Sequence, residues 1–117
     1  MPDVFDDVAS VTEHFALDAL AKRQRAIADN ISNVETPGFL AGRVSFEAAL
    51  AHALNDGDPS EATATVARSL EPTREDGNNV NLDHEMLSNV DTNLRYQTML
   101  RAVDDKFGIL RTVIKGA

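Results

Sequence analysis

Tyr96-Gln97-Thr98-Met99-Leu100-Arg101-Ala102-Val103-Asp104-Asp105-Lys106-Phe107-Gly108-Ile109-Leu110-Arg111-Thr112-Val113-Ile114-Lys115 decides the fold. Within this stretch Tyr96, Leu100, Val103, Phe107, Leu110 and Ile114 follow one another at spacings of four, three, four, three and four residues, and all six are apolar or aromatic. That is the 3.5-residue period of a coiled-coil seam. Upstream, Asp76-Gly77-Asn78-Asn79 is a turn signal. Asn81 follows as an N-cap, with Asp83 and Glu85 placed to complement the positive end of a helix dipole. Gly116 closes the helix, with Arg111 and Lys115 near its negative end.

The opposite end of the chain predicts a second long helix, from about Asp3 to Ile31. Val4, Val8, Val11 and Phe15 form a stripe that Leu20, Ile27, Ile31 and Val34 continue after a phase slip, with Gln24 in the gap. The slip predicts a kink or a change of packing partner. Pro37 removes an amide hydrogen and pushes Thr36 off helical angles, so this helix ends before Thr36. Pro37-Gly38 reads as the central pair of a type II turn. Between the helices, Ser45 is expected to cap a short helix through Leu54, with Phe46, Leu50 and Leu54 on one side. Asn55-Asp56-Gly57-Asp58-Pro59 is a breaker cluster. Residues 61 to 76 are polar and weakly patterned, either an extended strand-like segment or a loop. The expected fold is mainly α: two long terminal helices, residues 1–35 and 81–117, paired as an α-helical hairpin or coiled coil. An irregular middle, residues 36–80, with a short helix, joins them within one structural domain.

Composition narrows the function. The net charge of −8 opposes general nucleic-acid binding, which needs a basic face, and docking on an anionic membrane. The acid loads the start (Asp3, Asp6, Asp7, Glu13) and the base loads the end (Arg95, Arg101, Lys106, Arg111, Lys115), a split that suits pairing between ends or neighbours as well as plain solvated faces. No cysteine is present, so disulfides and thiolate metal sites are excluded. No apolar run approaches the ~20 residues that span a bilayer. The acidic Met1-Pro2-Asp3 start does not resemble a cleaved signal peptide. His14, His52 and His84 fall one to each zone. His84 lies between Asp83 and Glu85, but neighbours on a helix point about 100° apart and do not converge on one ion. Neither a nucleophile elbow, a phosphate-binding loop nor a zinc-protease motif occurs. The expectation is a protein with no catalytic residue, no cofactor and no metal.

Two segments together resemble a known family. Ile27-Ala28-Asp29-Asn30-Ile31-Ser32-Asn33-Val34-Glu35-Thr36-Pro37-Gly38-Phe39 is similar to the N-terminal signature of the axial proteins of the bacterial flagellar rod and hook. Asp76-Gly77-Asn78-Asn79-Val80-Asn81-Leu82-Asp83-His84-Glu85-Met86 resembles the segment that opens the C-terminal helix in proximal-rod members of that family. Leu94-Arg95-Tyr96-Gln97 and the ending Leu110 to Gly116 are similar as well. The likeness covers about residues 17–47 and 76–117; residues 48–75 carry no family motif.

The resemblance implies a structural subunit of the basal body rod, on the periplasmic side of the inner membrane, required for motility. It implies export through the flagellar type III apparatus without a cleaved signal, and self-association in the rod. The implied partners are other rod subunits and the ring–rod adaptor FliE. It marks Asn30 and Asn33 as bonding helix-end carbonyls or a neighbouring subunit, and Thr36, Pro37, Gly38 and Phe39 as setting the exit from the first helix, with Phe39 anchoring the loop against a helix. Asp76, Gly77, Asn78 and Asn79 would set the return turn, and Tyr96 to Ile114 the seam. The alternatives are another axial rod protein and a soluble helical-hairpin adaptor or export chaperone.

Overall fold

The computed structural model describes the backbone of residues 8–115 and the side chains of residues 8–105. The chain runs α1 (Val8–Ser32), β1 (Gly42–Ser45), α2 (Glu47–Asn55), a 3-10 turn (Pro59–Glu61), β2 (Thr65–Arg68) and α3 (Leu82–Lys115). It is mainly helical, with the two long helices packed against each other. Their direction follows from paired residues. Asn30 meets Glu85, Gln24 meets Asn93, and Leu20 shares a cluster with Tyr96 and Met99, so α1 and α3 run antiparallel. The 34 residues of α3 span about 51 Å at 1.5 Å per residue. A compact globule of this length would have a radius of gyration of about 13 Å. Here it is 18.1 Å, with extents of 65 × 28 × 14 Å.

α1 is one unbroken helix of 25 residues. The phase slip between Phe15 and Leu20 marks neither a kink nor a change of partner, since both residues pack around Phe46. Ala16, Ala19 and Leu20 are buried against Phe46, whose ring meets Phe15 edge-on with centroids 6.0 Å apart. Farther along, Ile27 is buried and Asn30 faces β1 and the start of α3. Gln24, the polar gap in the stripe, is hydrogen-bonded to Asn93 across the helix pair. Val8, by contrast, is 52% exposed.

In the middle, β1 and β2 pair antiparallel, with Gly42 opposite Arg68 and Ser45 opposite Thr65. Residues 65–68 thus take the extended alternative. Ser45 is the last residue of β1, not a helix cap. α2 starts at Glu47 behind Phe46, which makes no side-chain cap. The reason is local: Phe46 must enter the core, where it is 5% exposed, so the chain leaves the strand one residue later. On α2, Ala53 is buried while Leu54 is 39% exposed, because the inward face follows Phe46, Leu50 and Ala53. The breaker cluster forms a turn with Gly57 at φ +82°, and Asp58 caps the 3-10 turn by accepting from the Ser60 amide.

Candidate assembly site

The end of α1 leads into a turn from Thr36 to Phe39. The Thr36 carbonyl accepts from the Phe39 amide at 3.2 Å, and Gly38 sits at φ +75°, the left-handed value a type II turn needs. The chain returns through a turn closed earlier than expected, in which the Gly77 amide donates to the Arg74 carbonyl at 2.9 Å; Gly77 sits at φ +83°, and the Asp76 side chain accepts from the Asn78 amide. The two turns lie backbone on backbone: a Cβ on Gly77 would sit 3.3 Å from the Cα of Gly38. The Gly38 amide donates to the Asp76 carbonyl at 2.8 Å.

Asn78 and Asn79 lock this contact. Asn78 is fully buried. Its Nδ2 donates to the carbonyls of Asn33 and Thr36, both at 2.8 Å, while its Oδ1 accepts from the Val80 amide at 2.7 Å. Asn79 accepts from the Ala41 amide at 2.7 Å and donates to the carbonyls of Ser69 and Glu71. One asparagine therefore ties the end of α1 to the start of α3, and the other ties both strands' flanks to the same point. Arg74 adds a staple, donating to the Val80 and Val34 carbonyls. An asparagine amide suits this work because it offers donors and an acceptor without charge, so it can be buried against backbone.

A second polar centre lies one turn away. Asn30 is buried, donates to the Gly42 carbonyl at 3.0 Å and accepts from the Gly42 amide at 2.8 Å. It reads the backbone of β1 and does not cap its own helix. The same amide donates to Glu85, whose side chain is wholly buried and is met by Arg43 at 2.5 Å. Glu85 keeps its place in the first turn of α3 and is in addition a buried ion-pair residue. Its position four residues past Asn81 turns it toward α1, and Arg43 compensates the charge. Asn33 alone does the local work of closing a helix, donating to the Asp29 carbonyl at 2.8 Å and accepting from the Thr36 hydroxyl. Asn81 caps α3 by accepting from the His84 amide at 3.1 Å.

Phe39 is half-buried and lies under the Arg68 guanidinium of β2, 5.3 Å from the ring centroid. A third junction, absent from the sequence reading, centres on Arg23. It forms a two-pronged pair with Glu47 at 2.6 and 2.8 Å, donates to the Val44 carbonyl and lies 4.8 Å over the Phe46 ring. The Arg23 hydrogen bonds hold the Glu47 carboxyl down to about 2, against a smaller opposing effect of burial. Arg95 also reaches Glu47 and, more closely, Asp91 on its own helix. Asp3, Asp6 and Asp7 lie outside the described residues.

Of the seam, Tyr96 and Val103 are half-buried and Leu100 is 41% exposed. The side chains of Phe107, Leu110 and Ile114 lie outside the described residues. Along the described part of α3, the inward stripe is Glu85, Thr92, Tyr96 and Met99, which leaves Leu100 on its shoulder. A separate apolar stripe faces outward: Leu82, Met86, Val90 and Leu94 at four-residue spacing, with Leu87 beside them, 43–73% exposed. His14, His52 and His84 are exposed on separate parts of the fold. Among the described residues no group of His, Cys, Asp or Glu is placed to hold a metal ion, and no helix is long and apolar enough to cross a membrane.

An elongated helical hairpin, closed at one end by an asparagine clasp and bare along one apolar face, defines a structural subunit of a larger assembly. The family model described as "Flagella basal body rod protein" matches residues 15–39. Over most of its length the chain is similar to curated proteins named flagellar basal body rod protein FlgB. It is 32% identical to that of Borrelia hermsii, over 87% of this chain and 92% of the relative. It is 29% identical to that of Escherichia coli K12 (93% and 94%) and 28% identical to that of Bacillus subtilis 168 (80% and 83%). The chain belongs to the FlgB family of flagellar basal body rod proteins, a family of structural rod subunits. The 15–39 match ends on Phe39, at the first half of the clasp.

Proposed function

We propose that this chain is a structural subunit at the base of the flagellar rod, joining the membrane-ring and export complex to the rest of the rod. It carries no catalytic step and needs no cofactor. It leaves the cytoplasm through the type III apparatus without a cleaved signal and takes its place on the periplasmic side of the inner membrane. Its neighbours there are further copies, other rod subunits and the ring–rod adaptor FliE. The observation that carries this reading is the outward stripe of α3. Contiguous apolar faces on a soluble chain mark protein–protein contact, and Leu82, Met86, Leu87, Val90 and Leu94 form such a face along a hairpin 65 Å long. The acidic balance and absent cysteines agree with an assembly partner that is neither nucleic acid nor a disulfide framework.

Deleting the gene and imaging purified basal bodies by electron microscopy tests this. Membrane rings without rod, hook or filament are expected, with restoration by the intact gene supplied in trans. Intact rods in the deletion strain would overturn it and favour the alternative of a soluble helical-hairpin adaptor.

A further inference from the structure

Leu70 is 95% exposed, the most exposed of the large apolar side chains described. Floppiness does not account for this, because the backbone on both sides is fixed. The Ser69 amide donates to the Ala41 carbonyl at 2.7 Å, and the Ser69 and Glu71 carbonyls both accept from the buried Asn79 amide. The Glu71 amide is in turn held by the Ser69 hydroxyl. The clasp therefore presents Leu70 outward as a preorganised knob, with the exposed Glu71 carboxylate beside it.

A matching recess lies elsewhere on the same molecule. Leu20, Phe46, Leu94, Thr98 and Met99 line a mostly apolar groove of about 350 Å³, with Arg95 at its rim. Arg101 is exposed next to it, lining the adjoining recess with Leu94 and Thr98, and has no carboxylate partner among the described residues. An apolar knob with an acidic neighbour is thus matched by an apolar recess beside Arg101, while Arg95 is already paired with Asp91 and Glu47.

We propose that Leu70 of one copy seats in the Leu20–Phe46–Leu94–Met99 groove of a second copy of this chain, with Glu71 against Arg101. The inference rests on the reading of the chain as a rod subunit. Knob and groove are different surfaces, so the contact is head-to-tail and does not close on itself as a two-fold dimer does. They are also displaced along the hairpin. The knob is fixed at the clasp, near Glu85, and the groove lies by Met99, 14 residues or about 21 Å along α3. Copies joined this way add one to the next in a ring or an open helical array.

The test uses the native absence of cysteine. A strain carrying Leu70→Cys with Thr98→Cys as its sole copy is grown, basal bodies are purified and oxidised with copper phenanthroline, and the chain is run on a non-reducing gel. Dimers and a ladder above them are expected, and neither single variant gives them. Basal bodies that contain the double variant and yield only monomer would overturn the inference while leaving the rod assignment intact. Absence of the chain from basal bodies in the native strain would overturn both. Should the double variant fail to build rods, the charge pair decides. Glu71→Arg is expected to reduce swimming, and Glu71→Arg with Arg101→Glu to restore it. No restoration, with both chains incorporated at native level, would overturn the contact.

Discussion

Replacing Asn78 with alanine is expected to open the clasp. The side chain is fully buried and makes three short hydrogen bonds to backbone. Val80 is 2% exposed, so its amide would lose its acceptor with no water to replace it, at about 1–3 kcal/mol. The carbonyls of Asn33 and Thr36 lie nearer the surface and regain water, so each loses only the net worth of a hydrogen bond, about 0.5–1.5 kcal/mol. The sum is about 2–6 kcal/mol. A chain of this length has a total stability of about 6–18 kcal/mol. Urea unfolding of the purified chain, followed by circular dichroism, should show the unfolding free energy falling by that amount, as a lower midpoint at an unchanged slope. Asn78→Asp keeps the acceptor for Val80 but sets a carboxylate against two carbonyls, so it should cost at least as much. A loss under about 0.5 kcal/mol for Asn78→Ala would refute the clasp as an energetic element.

Three further outcomes follow from the same geometry. Glu85→Leu strands Arg43 and the Asn30 amide in a buried site and should destabilise by about 3–5 kcal/mol in the same unfolding assay, with Glu85→Gln costing less. Thr92 is fully buried and its hydroxyl has no partner among the described residues, so Thr92→Val should raise stability by about 1 kcal/mol, read as a higher thermal midpoint. Glu47, held at about 2 by Arg23, contributes stability that is fully present above the ordinary carboxylate value of 4.5 and is lost as pH falls from there toward 2. The pair is partly solvated, so the loss should stay within about 1 kcal/mol, and Glu47→Gln should remove that part of the acid dependence in urea titrations at stepped pH.

The long helices were legible because their signals are local: period, proline and an asparagine cap. The clasp was legible only as two separate turns. Asn78 and Asn79 act across 38 to 45 residues of chain, and a sequence shows their turn propensity without showing which carbonyls they meet. The burial of Glu85 and the role of Arg23 were missed for a related reason. A charged side chain reads as solvated until its phase is checked. Arg23 falls in phase with Ala16, Ala19, Ile27 and Asn30, and Glu85 with Thr92, Tyr96 and Met99. That phasing was the available sign of buried pairing. Leu100 shows the reverse limit: a heptad names the apolar candidates on a helix, but the partner decides which shoulder is covered. The outward stripe through Met86 and Leu94 crosses the heptad phase and stands out only once α1 is in place.

The oxidation of Met86 by dilute peroxide, read by mass spectrometry, tests the assembly claim most directly. Met86 is 57% exposed in the isolated chain and lies in the middle of the outward stripe. It should oxidise readily in the purified protein and be strongly protected in intact basal bodies. Equal oxidation in both, with the chain present in the basal bodies, would contradict the account.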